Sequence, residues 1–159
     1  MRPIAVITLS ATLAMGLTSC AAGNDAPTAM TKQVTDGVEG AITTQGNDLS
    51  VSGLLLVAQP DGSAVLVATM INRNTQSDDL LAVGANDVVA TLSATTIPML
   101  ENQPLRFSGD TSNAKAVFPN LNIAPGNRVK VKLFFSHAGE MTLDAIVREQ
   151  TGVYAGVTA

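Results

Sequence analysis

Tryptophan is absent, histidine and cysteine occur once each, and aromatic residues make up 3% of the 159-residue chain. Charge is scarce too: charged residues are 14% of the chain, well below the roughly 25% of an average soluble domain. These shortages exclude chemistry. A zinc site of the usual kind needs several thiolates or imidazoles, and the chain cannot supply them. A mechanism that needs two histidines, or a cysteine paired with a second thiol, is excluded on the same count. Nine basic side chains against thirteen acidic ones give a net charge of −4. That balance lacks the basic footprint of a nucleic-acid binder, so no nucleic-acid partner is expected.

Catalytic motifs are missing as well. There is no G-x-S-x-G elbow, no Walker loop and no D-x-D-x-D calcium spacing. No pair of carboxylates sits in a recognisable glycosidase context, and no serine and aspartate stand in an order that sets His137 beside an obvious nucleophile. The expectation is a protein that is not an enzyme. Asp78, Asp79 and Asp110 read as surface carboxylates of no special role.

What is present begins at the N-terminus. Arg2 precedes an apolar run over residues 4–17, IAVITLSATLAMGL. The run has the length of a signal-peptide core and falls short of the ~20 predominantly apolar residues of a spanning helix. It closes on Leu17-Thr18-Ser19-Cys20, which looks like a bacterial lipobox, with Cys20 the acceptor of diacylglycerol and then of an amide-linked chain such as palmitate. The alternatives are an ordinary secretory signal in which Cys20 is incidental, or a cytosolic helix. The lipobox reading gives a lipoprotein signal peptide over residues 1–19 and a lipidated flexible tether over 20–36. It then gives a folded domain over 37–149, a C-terminal tail over 150–159, and anchorage on the outer face of the cell membrane. One acyl chain alone anchors marginally, since each buried CH₂ contributes ~0.8 kcal/mol; two or three hold firmly.

From Val38 onward the pattern is that of short strands. Residues 49–58 (LSVSGLLLVA) begin by alternating and become continuously apolar. Gln59-Pro60-Asp61-Gly62 is a turn, and residues 63–72 (SAVLVATMIN) read as a strand buried on both sides. Strands over 80–83 and 88–92 flank a turn at Gly84-Ala85-Asn86-Asp87. The clearest strand covers 128–135, where Val129, Val131, Leu133 and Phe135 alternate with Arg128, Lys130, Lys132 and Phe134. A turn over 136–140 leads to a partner strand over 141–148. Such spacing argues for an all-β sandwich. The stretch from 91 to 116 carries no strong signal, and its strand order stays open.

Several of these segments carry a resemblance. They are the strand and polar loop over residues 70–77, then Asp79-Leu80-Leu81-Ala82-Val83, and last the hairpin marked by Leu121, Pro125-Gly126, residues 129–135 and Ala138-Gly139-Glu140-Met141-Thr142-Leu143. From about residue 40 to 147 the chain resembles the actinobacterial LpqE-like lipoproteins, distant relatives of the periplasmic PCuAC-type copper chaperones. The resemblance implies a cupredoxin/immunoglobulin-like β-sandwich carried as an envelope lipoprotein, with respiratory cytochrome complexes as neighbours. Copper chaperones of that kind hold Cu(I) with methionine and histidine, a combination suited to a soft ion. The corresponding segments here, Leu92-Ser93-Ala94 and Lys115-Ala116-Val117, contain neither residue. A non-enzymatic interaction module without a cofactor is therefore the first expectation, and a copper-chaperone-like binder with a weak, degenerate site is the alternative.

The candidate residues can each be read in two ways. His137 is a solvated turn residue or, with Met141 four positions on, half of a weak copper site. Met99, placed in a loop-like stretch, is packing or a thioether ligand. Arg128, Lys130 and Lys132 form a charged strand face that discourages edge-to-edge pairing, or a basic stripe for an acidic partner or lipid phosphates.

Overall fold

The computed structural model describes residues 36–159. The expected signal peptide, Cys20 and all but the last residue of the expected tether lie outside the described residues. The strands, in chain order, are β1 (Val38–Ile42), β2 (Leu49–Ala58), β3 (Ala64–Asn72), β4 (Asp78–Ala85), β5 (Val88–Val89), β6 (Thr91–Leu92), β7 (Ile97–Met99), β8 (Leu105–Arg106), β9 (Ala116–Phe118), β10 (Arg128–Phe135) and β11 (Gly139–Glu149). A single 3₁₀ turn, Gly152–Tyr154, follows them. No helix among the described residues is long and apolar enough to cross a membrane.

Two sheets face each other and share one long strand. β4, β5, β7 and β10 form the first, and β1, β2, β3, β6, β8 and β9 form the second. β11 serves both: it pairs antiparallel with β10 over most of its length, then runs parallel to β2 through Val147, Arg148 and Glu149. The inward residues of β10 (Val129, Val131, Leu133 and Phe135) meet Leu54, Leu56, Leu66, Met70, Leu80 and Phe118 in one core. Strict alternation on β10 is what puts those four inside and the cations outside. Each fully buried aliphatic side chain stabilises the fold by about 1.5–3 kcal/mol.

The continuously apolar part of β2 is buried on both faces, as its sequence requires. Leu54 and Leu56 enter the core, while Leu55 and Val57 turn the other way and are also almost fully buried. Part of the cover on that outer side is the segment after β11. The side-chain amide of Gln59 donates to the carbonyls of both Val57 and Val157, and Gln150 donates to the same Val157 carbonyl. Residues 150–159 are therefore tied back onto the second sheet, where the sequence suggests a tail. Asp36 takes part in the same region, accepting hydrogen bonds from Arg148 and Tyr154.

Other details differ from the sequence expectation. The strand expected over 88–92 is two strands, because the chain crosses between sheets at buried Ala90: β5 pairs with β4, and β6 with β9. The β2–β3 turn forms as expected, with Gly62 at φ 84° and its N–H donating to the Gln59 carbonyl. Gly53, at φ 62°, sits in a register shift of β2, and Gly37 packs so closely on it that an added Cβ would lie 2.2 Å from the Gly53 carbonyl carbon.

Candidate functional site

Asp78, expected on the surface, is the buried first residue of β4. Its Oδ1 accepts hydrogen bonds from the Ser136 hydroxyl (2.6 Å), the His137 N–H (2.9 Å) and the Asp79 N–H (2.7 Å). Its Oδ2 accepts from the Ala138 N–H at 2.8 Å. Burial by itself would raise the carboxyl, but the hydrogen bonds from Ser136, His137, Ala138 and Asp79 outweigh it and hold it below the usual carboxylate value. A carboxylate can be buried here because the β10–β11 turn aims its backbone N–H groups at it. That convergence is tertiary, and sequence spacing does not reveal it.

The same turn brings serine, histidine and aspartate together, a grouping the sequence reading did not find. His137 Nδ1 lies 3.0 Å from the Ser136 Oγ and 3.5 Å from Asp78 Oδ1. In a hydrolytic triad the imidazole stands between the other two and takes the hydroxyl proton. Here the serine stands between, and its proton goes directly to the carboxylate. The cluster is built to order a turn.

Met99 is not in a loop. It belongs to β7, lies directly across from Asp78 and is only 1% exposed. The Met99 carbonyl accepts a hydrogen bond from the side chain of buried Asn72. The backbones of Met99 and His137 both meet Asp78, but the Met99 side chain is part of the core while the His137 ring is about half exposed. Met141 sits elsewhere, paired across from Leu133, with its sulfur over Gly40. Among the described residues no three His, Cys, Asp or Glu side chains group as a metal cluster.

The two segments to which the resemblance assigns copper ligands are neighbours in the fold. β6 pairs with β9 so that Leu92 faces Ala116, and the Ser93 N–H donates to the Lys115 carbonyl at 2.9 Å. In return the Lys115 N–H donates to the Ser93 hydroxyl. The fold therefore brings these positions together but equips them with a hydroxyl and an ammonium. Neither is a ligand for Cu(I), and the residues present do not fit that ion there.

Lys115 also borders a cavity of about 520 Å³ between the loop that follows Phe107 and the C-terminal segment. Sequence reading could not find it, because both of its walls lie in stretches without periodicity. The basic stripe is partly neutralised. Arg128 pairs with Asp144 at 2.8 Å and Lys132 with Glu140 at 3.6 Å, both across the β10–β11 ladder. Lys130 is exposed and has no ion-pair partner among the described residues.

No known protein family and no curated protein matches the sequence. Solved structures do match the fold. The apo PCuAC domain from PmoF1 superposes with a TM-score of 0.56 at 21% identity, covering 64% of this chain and 93% of that one. The copper-bound PCuAC domain from PmoF2 gives 0.60 at 19% identity, covering 70% and 98%. The apo PmoF2 PCuAC domain gives 0.54 at 18%, covering 65% and 92%. At these identities the likeness is one of architecture: the chain is an all-β sandwich with the cupredoxin-like fold of PCuAC domains.

Proposed function

We propose that this chain is a lipid-anchored envelope protein of the LpqE-like kind, whose sandwich is a non-enzymatic interaction module for a membrane-associated protein complex. One observation carries the choice of docking over metal transfer. The β6–β9 pair brings together the two segments to which the resemblance assigns copper ligands, and those segments carry Ser93 and Lys115 but neither histidine nor methionine. Cys20 supplies the anchor, and a respiratory cytochrome complex is the class of partner that the resemblance implies.

The test is affinity capture of the tagged full chain from detergent-solubilised membranes. Stoichiometric recovery of one membrane complex, lost with the Cys20→Ala variant in intact cells but not in detergent, is the expected result. Recovery of the chain alone overturns the docking reading.

A second reading, copper binding at a reduced site, draws support from the His137 imidazole, which is about half exposed and lies 3.5 Å from the Asp78 carboxylate. Cu(I) titration of the purified chain decides it. Submicromolar, one-to-one binding that disappears in His137→Ala establishes this reading in place of the first. Binding no tighter than that of the variant removes it.

A further inference from the structure

The cavity beside Lys115 has the size to hold a small molecule. Its volume, about 520 Å³, falls within the range of about 300–1,000 Å³ typical of small-molecule pockets. Buried Val65 and Phe107 give it an apolar base. Tyr154 and Val153 stand on the opposite wall, and Val153 is 86% exposed. That wall is fixed in advance by the two glutamine amides that converge on the Val157 carbonyl, at 3.2 and 2.9 Å. A preformed wall removes much of the ordering cost of binding.

The charges in the cavity decide the class of ligand. Lys115 and Asp110 both border it, and both are exposed. Neither makes an ion pair or a side-chain hydrogen bond among the described residues. They do not reach each other, although they face the same space. An anion alone would meet Asp110, and a cation alone would meet Lys115. A molecule carrying both charges satisfies both groups at once, and its apolar body covers Val65, Phe107 and Val153.

We infer that this cavity binds a small zwitterion with an apolar body, of amino-acid to dipeptide size. The carboxylate lies on Lys115 and the ammonium on Asp110. The site is independent of the anchor and of copper.

Tyr154 makes the test direct, since the chain has one tyrosine and no tryptophan and tyrosine fluorescence therefore reports on this wall alone. The full chain is titrated with the dipeptide leucyl-leucine, its N-acetylated form and its C-terminal amide, and binding is confirmed by equilibrium dialysis. Saturable binding of the free dipeptide is expected, with each blocked form about tenfold weaker or worse, the scale of losing one charged hydrogen bond. Lys115→Gln should erase the penalty for the amide, and Asp110→Asn the penalty for the acetyl form. Both residues are exposed, so both variants should keep the native circular dichroism. Equal binding of all three peptides, unchanged binding by both variants, or no binding at millimolar peptide overturns the inference.

Discussion

The turn around Asp78 and the cavity beside Lys115 put similar side chains in opposite circumstances. At the turn, one buried carboxylate is met by a hydroxyl and three backbone N–H groups, and every donor points inward. At the cavity, an ammonium and a carboxylate share an open space and neither has a partner among the described residues. The first arrangement spends its polarity on holding β4 to the β10–β11 hairpin. The second leaves its polarity available. A buried, saturated charge holds structure, whereas an exposed, unpaired one stays free to meet a ligand; residue type alone does not separate them.

Removing Asp78 should produce the largest effect. Asp78→Ala leaves the Ser136 hydroxyl and the N–H groups of His137 and Ala138 without their acceptor, with a side chain too short to exclude water cleanly. A loss of about 3–5 kcal/mol is expected, the scale of breaking a buried charged network. Urea unfolding followed by circular dichroism measures it. Lys115→Gln in the same assay should change stability by less than about 0.5 kcal/mol. If the two variants cost the same, the contrast between the regions collapses.

Acid provides the next test. The folded-state pKa of Asp78 lies below its unfolded value of 3.8, so its contribution is complete above that value and is lost as pH falls through the lower folded value. The Asp78→Asn variant has no such proton to bind. Its stability deficit of about 2 kcal/mol near neutral pH should narrow in the acid range. Unfolding midpoints of both proteins across that range will show it, and a deficit that stays constant would mean that the charge on Asp78 contributes nothing.

Much of this architecture was legible in the residues, and the reason lies in strand length. The eight residues of β10 repeat the in-out pattern four times, and the ten of β2 are long enough to show a change from alternation to continuous burial. In β6 and β8, with two residues each, no period can be seen, and only their pairing with β9 and β3 defines them. The site was less legible. Met99 lies in a three-residue strand next to a proline, so it reads as loop. Asp78 follows a polar run, and nothing local shows that the turn at Ser136 will return to it. A clue to the C-terminal segment did exist: Leu55, Val57 and Val65 turn away from the central core, and apolar side chains on an outer face demand a cover.

That cover supplies a smaller effect. Gln59→Ala removes hydrogen bonds to the Val57 and Val157 carbonyls, and about 1 kcal/mol is expected, the usual net value for such bonds. The distinguishing readout is local. The segment over 150–159 should become susceptible to carboxypeptidase while the unfolding transition keeps its cooperativity. Resistance equal to that of the parent chain would show that Gln150 and the Tyr154–Asp36 bond are enough to hold the cavity wall.

The basic stripe on β10 tests a third circumstance, charges that are paired yet solvated. Lys132 and Glu140 are each about half exposed and 3.6 Å apart, so their coupling should be about 0.2–1 kcal/mol and fall with salt. A double-mutant cycle with Lys132→Ala and Glu140→Ala isolates that coupling from the effect on each strand. A value at the low end leaves the stripe as a solvated face whose charges stay free to turn toward an acidic surface. A value well above 1 kcal/mol would mean that the pair is held as firmly as the Asp78 network, and the face would then be structural. Lys130, which lacks an ion-pair partner among the described residues, provides the internal reference: Lys130→Ala should be neutral to folding in either case, so any loss of partner capture in that variant reports on docking alone.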